Sequence, residues 1–260
     1  ERTIQAAEVA REQELAVRHK TAAKKAQAIW ANAAEAPEGH PYLSKKGIRP
    51  HGVRVSQGNI VIPVTEGGEI VSLQFIESEG GKKFFPGGKV KGCYHVIGDP
   101  GETIYVAEGF ATAATISEAT GNACYVAFNA NNLSDVVGAA KDSNPDATIV
   151  ICGDDDHNTD GNPGKSKSLV AGELHNCKVI FPDVEGRDTD FNDMVKADGI
   201  DKVRELLLKA TSLDHLQEAN ARLNSKYEPF PSHCLDVDGL FGDVCDWVNK
   251  CALIQQPVLT

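Results

Sequence analysis

The sequence predicts an α/β protein in which a central parallel sheet is flanked by helices and preceded by a small mixed α+β subdomain. Short, continuous apolar runs alternate with helix-like stretches after residue 101, which is typical of parallel strands covered on both faces. Before that point, β-type runs are separated by Gly-rich turns. The length of 260 residues, with 41% hydrophobic and 24% charged residues, is ordinary for a globular protein of one large or two modest domains.

Changes in composition divide the chain into four segments, which are 1–36, 37–101, 102–210 and 211–260. The first is rich in Ala, Glu, Lys, Arg and Gln and predicts a helix. Its thin apolar stripe indicates either weak packing or a bridge to a module upstream. The last passes Pro229 and Pro231 and ends in an apolar helix-like stretch, which predicts a helical linker into a further module. Because the chain lacks an initiator Met, we expect a fragment of a longer protein.

Composition also limits the classes of function. The net charge of −11 argues against general electrostatic adhesion to nucleic acid, although it leaves room for a local basic groove. No apolar run is long enough to cross a membrane, so no membrane partner is expected. The seven cysteines include no Cys-x-x-Cys pair, which leaves no zinc-ligand spacing and fits a reducing cytoplasm.

The parallel part is predicted element by element from its apolar runs and its Gly and Asn punctuation. The predicted strands are Thr103–Ala107, Ala123–Phe128, Thr148–Cys152 and Lys178–Phe181. The predicted helices are Phe110–Thr120, a helix near Leu133–Ala140, a helix near Gly164–His175, and Ile200–Lys209.

Acidic residues follow two of these strands. Glu108 comes directly after the strand 103–107, and Asp154, Asp155 and Asp156 follow the strand 148–152. Ligands bind at the carboxyl ends of parallel strands, so neighbouring strands would bring these acids together. Carboxylates that cluster repel one another unless cations lie between them, and oxygen ligands favour Mg²⁺ or Mn²⁺. In an extended Asp-x-Asp segment, Asp155 points away. The alternative is that these acids are ordinary helix caps and loop residues.

These motifs resemble the TOPRIM domain. Residues 104–116, IYVAEGFATAATI, and 149–158, IVICGDDDHN, match a pattern of one strand that ends in Glu-Gly and another that ends in Asp-x-Asp. Residues 178–194, KVIFPDVEGRDTDFNDM, are similar to the end of that unit in primases of phages and mobile elements. Upstream, HPYLSKKGI and QFIESEGGKKFFPGG look like the N-terminal subdomain of the same primases. The resemblance covers residues 37–210, and a weaker one likens residues 228–260 to the start of a helicase-like region.

The resemblance implies the catalytic core of a DNA primase, a nucleotidyltransferase that synthesises short primers with Mg²⁺ or Mn²⁺. It assigns catalysis and metal binding to Glu108, Asp154 and Asp156, and adds Asp190 and Asp193 as further metal ligands. The alternative role for Glu108 is that of a general base, and the sequence does not separate the two roles. It also implies a single-stranded DNA template, nucleoside triphosphates and a helicase in the same longer chain or in trans. One departure is that the Gly expected directly after Asp-x-Asp is displaced to Gly161.

Lysines are the candidate contacts for phosphates and template. Four lie in a Gly-rich segment that also holds two phenylalanines, an alternation seen in grooves for single strands, and two follow the Asp loop at a helix start. These six residues are Lys82, Lys83, Lys89, Lys91, Lys165 and Lys167. The alternative is a solvated hairpin and simple surface charge.

Two rival functions remain open at this stage. A TOPRIM nuclease would use the same carboxylates with extra acids for water activation, and the Asp-rich stretch 183–193 permits it. A template- or helicase-docking module without catalysis would have no use for the intact Glu108, Asp154 and Asp156.

Overall fold

The structure is a computed structural model that describes residues 2–183 and 189–211. The predicted linker and helicase-like region at 211–260 lies, apart from its first residue, outside the described residues. The chain divides into two compact units, Glu1–Leu208 and Lys209–Thr260, and the fold and the site both lie in the first. No helix of the described ranges is long and apolar enough to cross a membrane.

The N-terminal sheet has five strands in chain order, and every pairing in it is antiparallel. The strands are β1 Ala34–Glu35, β2 Arg54–Ser56, β3 Asn59–Glu66, β4 Glu69–Ile76 and β5 Lys82–Phe84. Strands β3 and β4 form a hairpin whose two loop residues, Gly67 and Gly68, have φ of 57° and 85°. Glycine adopts this left-handed conformation without strain, and it matches the twist of paired strands.

Helix α1, Arg2–Asn32, packs its C-terminal part against β4. Ala26 is fully buried with Val61 and Leu73, and the Gln27 side chain donates to the Ile70 carbonyl at 2.9 Å. Between residues 8 and 20, by contrast, nearly every side chain is exposed. The expectation of weak packing thus holds for residues 8–20 and is wrong for the second half of the helix.

The second sheet has the order β10-β9-β7-β8-β6, parallel throughout except for the antiparallel edge strand β6. Its strands are β6 His95–Ile97, β7 Thr103–Ala107, β8 Ala123–Val126, β9 Thr148–Cys152 and β10 Lys178–Ile180. The helices are α2 Pro41–Lys46, α3 Phe110–Thr120, α4 Leu133–Ser143, α5 Pro163–His175, α6 Phe191–Asp198 and α7 Ile200–Thr211. Helices α4 and α5 pack on one core, whereas α3 contacts β7 and β8 together with α6. The predicted parallel sheet flanked by helices is confirmed.

Two buried asparagines join the N-terminal part to the parallel part. The Asn132 amide donates to the carbonyls of Val90, Cys93 and Ala127, at 3.2, 2.9 and 2.9 Å. The Asn192 amide donates to the Lys46 carbonyl at 2.7 Å and to the Thr115 hydroxyl at 2.9 Å. Buried hydrogen bonds of this kind are costly to break, so they hold the two parts in one unit.

Candidate active site

The site lies where β7 and β9 end side by side. Ala107 pairs with Cys152 at the last position of both strands, so the chain leaves the sheet at Glu108 and at the Gly153–Asp154 loop on the same edge. Burial raises the pKa of Glu108, and the negative charges of Asp156 and Asp190 raise it further. Lys82 and a backbone hydrogen bond from Ala130 act in the opposite direction. Glu108 thus lies within electrostatic reach of Asp156 and Asp190.

The surroundings of Asp154 oppose ionisation more strongly than those of Glu108. Its Oδ1 atom is buried and has no hydrogen-bond partner among the described residues. Burial raises the pKa of Asp154 well above its ordinary value, and Asp190, Glu108 and Asp156 add to that effect in this order. An unpartnered buried carboxylate among other carboxylates marks a place that is short of positive charge.

Asp156 is oriented by the N-terminus of α5. Its Oδ2 atom accepts a hydrogen bond from the Gly164 N–H at 2.8 Å, and its own N–H donates to the Asn162 side chain at 2.9 Å. A Cβ atom on Gly164 would lie 2.7 Å from the Asp154 carbonyl oxygen, so only glycine lets the helix approach this closely. The positive end of the helix thus faces the Asp loop.

Asp155 points away from the other acids, as the extended Asp-x-Asp pattern predicts. It accepts from the Asn162 side chain at 2.6 Å and pairs with the Lys165 ammonium at 3.1 Å. Its backbone also forms an antiparallel bridge with Thr189. The hydrogen bond from Asn162 and the contact with Lys165 lower the pKa of Asp155, the reverse of the shift at Asp154.

Asp190 and Asp193, which the resemblance adds as metal ligands, have different surroundings in the structure. Asp190 caps the N-terminus of α6, where its Oδ1 atom accepts from the Asp193 N–H at 2.8 Å, and its charge acts on both Asp154 and Glu108. The Asp193 carboxylate instead lies 3.6 Å from the Lys196 ammonium and is 40% exposed. Asp190 therefore forms, with Glu108, Asp154 and Asp156, a set of carboxylates that we call the acidic group. Asp193 instead forms an ion pair within α6.

Among the candidate lysines, only Lys82 acts on the acidic group. A Cβ on Gly109 would lie 3.5 Å from the Lys82 ammonium, which also lowers the pKa of Glu108 and Asp154. Lys83 pairs with Glu77, Lys89 with Glu66, and Lys165 with Asp155. Lys91 and Lys167 are exposed. The structure thus places Lys82 beside Glu108 and Asp154, and Lys165 beside Asp155, which points away from them.

The acidic group fits a hard divalent cation in its chemistry. Its donors are the carboxylates of Glu108, Asp154, Asp156 and Asp190, the ligand type that Mg²⁺ and Mn²⁺ prefer. The orphaned Asp154 oxygen offers one unused ligand atom. Within residues 2–183 and 189–211, no three Asp, Glu, His or Cys side chains are already arranged around a common point. Binding of an ion therefore requires side-chain rotations that bring these oxygens together.

Sequence reasoning missed the two residues that shape the Asp loop, Asn162 and Gly164. Asn162 has φ of 39° and caps α5, with its side chain accepting from the Lys165 N–H at 3.3 Å. The signal was present in the sequence, because Asn-Pro-Gly combines a favoured cap residue with Pro at the first helical position.

Comparisons with known proteins agree with this fold. Residues 103–201 match the family model described as a Toprim domain, so this part of the chain is a Toprim domain. The chain is also 37% identical over 155 residues to a DNA primase TraC of Escherichia coli, and 36% identical over 155 residues to a second one. Each alignment covers 55% of this chain, but only 15% and 11% of the respective relatives, so the chain spans a small part of their length.

Solved structures show the same fold. A DnaG primase catalytic domain bound to ssDNA has a TM-score of 0.54 and 11% identity, and the match covers 82% of this chain and 85% of that one. The Aquifex aeolicus primase, with zinc-binding and RNA polymerase domains, has a TM-score of 0.51 and 13% identity over 92% of this chain and 72% of that one. At these identities the likeness concerns the fold. The resemblance to TOPRIM-domain primases that the sequence predicted is confirmed.

Proposed function

We propose that this chain is the catalytic core of a DNA primase that synthesises short primers on single-stranded DNA by metal-dependent nucleotidyl transfer. The observation that carries the proposal is the acidic group at the carboxyl edge of a Toprim sheet, with an Asp154 oxygen left without a partner. The similarity to DNA primase TraC supports the same assignment and a role in the replication of a mobile element or phage.

The chemistry suits the groups that the chain provides. Primer synthesis joins the 3′-hydroxyl of one nucleotide to the α-phosphorus of the next, and bound Mg²⁺ or Mn²⁺ supplies the positive charge that this step requires. Glu108, Asp154, Asp156 and Asp190 would hold the ions, and no protein nucleophile is needed. Because the N-terminus of α5 fixes Asp156 through the Gly164 N–H, one of these ligands is oriented in advance.

Lys82 is the residue suited to the triphosphate. It lies on β5 beside the acidic group, and its side chain is exposed, so a phosphate can approach it from solvent. Phe84 follows two residues later and packs edge-on against Phe128, with ring centroids 5.8 Å apart. Charges beside aromatic rings form a surface suited to a single strand. We place the entry of nucleotide and template on this side of the acidic group.

The remaining partners rest on sequence alone. A helicase in the same longer chain or in trans would connect through residues 211–260, of which only Thr211 lies within the described part. We also propose a cytoplasmic location, which fits the cysteine pattern of the sequence.

Nucleotide incorporation tests the proposal. The chain is incubated with single-stranded DNA, labelled nucleoside triphosphates and either Mg²⁺ or Mn²⁺, and the products are separated by length. We expect short primers from the wild type and from Asp155→Asn, and none from Asp154→Asn. A parallel reaction with labelled DNA tests the nuclease alternative, since cleavage without incorporation would replace the primase assignment. Loss of incorporation in both variants would mean that Asp155 also belongs to the site.

A further inference from the structure

The loop that follows Asp156 folds back onto the Asp-x-Asp segment. The Gly expected directly after these acids is displaced to Gly161, so residues 157–161 separate Asp156 from Asn162. Two successive turns return the chain, because the Thr159 N–H donates to the Asp156 carbonyl at 2.8 Å and the Asn162 N–H donates to the Thr159 carbonyl at 2.9 Å. The longer loop therefore places Asn162 beside the acids that precede it.

The Asn162 side chain contacts two consecutive acids. Its Oδ1 atom accepts from the Asp156 N–H at 2.9 Å and from the Lys165 N–H at 3.3 Å. Its Nδ2 atom donates to Asp155 Oδ1 at 2.6 Å. The backbone of Asn162 has φ of 39°, a left-handed conformation that Asn adopts more readily than most residues. One side chain thus binds the backbone of Asp156 and the carboxylate of Asp155 together.

The backbone of Asp155 is held by Thr189. The Asp155 N–H donates to the Thr189 carbonyl, and the Asp155 carbonyl accepts from the Thr189 N–H, both at 3.0 Å. In a segment held in this extended form, successive side chains point to opposite faces, so Asp154 and Asp156 share the face that Asp155 leaves. On that face the Asp154 Oδ1 atom is buried and has no hydrogen-bond partner among the described residues, which indicates a place for a cation.

We propose that Asn162 is a positioning residue of the metal centre, which holds Asp155 away from the acidic group and fixes the backbone from which Asp156 presents its carboxylate. The inference rests on the proposed function, because Asn162 has this role only if the acidic group binds metal. The Gly164 N–H binds the Asp156 carboxylate at 2.8 Å, so residues at the start of α5 hold both the backbone and the side chain of this ligand. Removal of a residue that orients a metal ligand typically lowers metal affinity by about 10–100-fold.

Asn162→Gly removes the side chain and permits the left-handed backbone. In the full chain we expect Mn²⁺ to bind about 10-fold more weakly, as measured by calorimetry. Incorporation should fall at low Mn²⁺ and recover at saturating Mn²⁺, because the ligands are misplaced but present. Without metal, the melting temperature should fall by no more than about 2 °C, since glycine is nearly as good as asparagine at the start of a helix.

Asn176→Gly is the matched control. Asn176 follows the last residue of the same helix, α5, and its φ of 50° is also left-handed, so the substitution and the backbone conformation are the same at the opposite end of the helix. This variant should leave the affinity for Mn²⁺ unchanged. An equal loss of Mn²⁺ affinity in both variants would assign the effect to the stability of α5 rather than to the Asn162 side chain, and would overturn the inference.

An exchange of the two side chains, Asp155→Asn with Asn162→Asp, tests the hydrogen bond itself. The exchange keeps the net charge, reverses donor and acceptor, and leaves an oxygen that accepts from the Asp156 N–H. We expect it to bind Mn²⁺ within about 3-fold of the wild type, because the two substitutions compensate each other. Affinity as low as that of Asn162→Gly would overturn the inference, and the exchange decides the question even if Asn162→Gly does not fold.

The wild type separates a failure of the inference from a failure of the proposed function. Equal Mn²⁺ affinity in the wild type and Asn162→Gly would overturn the role of Asn162, and primer synthesis by the wild type would then leave the proposed function standing. Absence of Mn²⁺ binding by the wild type would refute the metal centre and the inference with it.

Discussion

Replacement of Asp154 by Asn should stabilise the metal-free protein. The Asp154 Oδ1 atom is buried without a partner, and the charges of Asp190, Glu108 and Asp156 all oppose its ionisation. An Asn amide carries no charge and can donate to a neighbouring carboxylate, so repulsion is exchanged for a hydrogen bond. An unsatisfied buried polar group costs about 1–3 kcal/mol, so we expect the free energy of unfolding to rise by about 2 kcal/mol.

The size of the effect is large enough to measure by calorimetry. In a unit of about this size, each kcal/mol shifts the melting temperature by about 2–4 °C, so Asp154→Asn should melt about 4–8 °C higher in a chelator. Millimolar Mg²⁺ or Mn²⁺ should reverse the order. The wild type gains about 2.7 kcal/mol when the ion is present at 100 times its dissociation constant, whereas the variant gains little.

Asp155→Asn provides the opposite control. Asp155 accepts from Asn162 and pairs with Lys165, so removal of its charge should destabilise the protein by about 0.2–1 kcal/mol and leave the response to metal intact. If Asp154→Asn melts below the wild type in a chelator, Asp154 is not under repulsion and the acidic group has been misinterpreted. If it responds to metal as the wild type does, Asp154 is not a ligand.

The remaining predictions concern the template surface, the joint between the two parts and the first helix. Lys82→Ala should weaken binding to single-stranded DNA and reduce the slope of log affinity against log salt concentration by about 0.7. The Lys83 ammonium pairs with Glu77, so Lys83→Ala should change neither quantity. Equal effects of the two variants in a salt titration would place the groove elsewhere. Glu118→Gln should cost about 1 kcal/mol at neutral pH, because His51 lies 2.6 Å from the carboxylate. His51 and Arg49 lower the pKa of Glu118 against the opposing effect of burial, so this difference should vanish in acid unfolding curves as pH falls through that lowered pKa. Deletion of residues 1–17 should leave the melting temperature nearly unchanged, whereas deletion of 1–32 should lower it markedly, because Ala26 packs on β4; similar melting curves would contradict that contact.

The sequence by itself determined the parallel sheet. The predicted strands 103–107 and 148–152 and the helix 110–120 have the same bounds in the structure. These strands and this helix are covered on both faces, so their sequences are continuous apolar runs bounded by Gly and Asn residues. Because the acids directly follow the strand ends, the sequence also predicted that Glu108 and the Asp loop lie at one edge of the sheet, with Asp155 directed away from the other acids.

Other features were decided only by the tertiary structure. The helix Phe191–Asp198 was not predicted, since its eight residues carry too little periodic pattern and its start depends on the Asp190 cap. Asp190 and Asp193 are the two ends of the sequence Asp-Phe-Asn-Asp. Which of them raises the pKa of Asp154 depends on how α6 packs on α3. The spacing of residues in the sequence does not predict how α6 is oriented on α3.

The same limit applies to the lysines. The composition of the segment gives no reason to distinguish Lys82 from Lys83. In the structure β5 pairs with β4, so that the Lys82 ammonium lies beside Gly109 and the Lys83 ammonium lies beside Glu77. Successive residues of a strand point to opposite faces, so neighbours in the chain meet different surroundings. Which face meets the acidic group depends on how the N-terminal sheet docks on the Toprim domain, and this docking is set by long-range contacts such as those of Asn132 and Asn192.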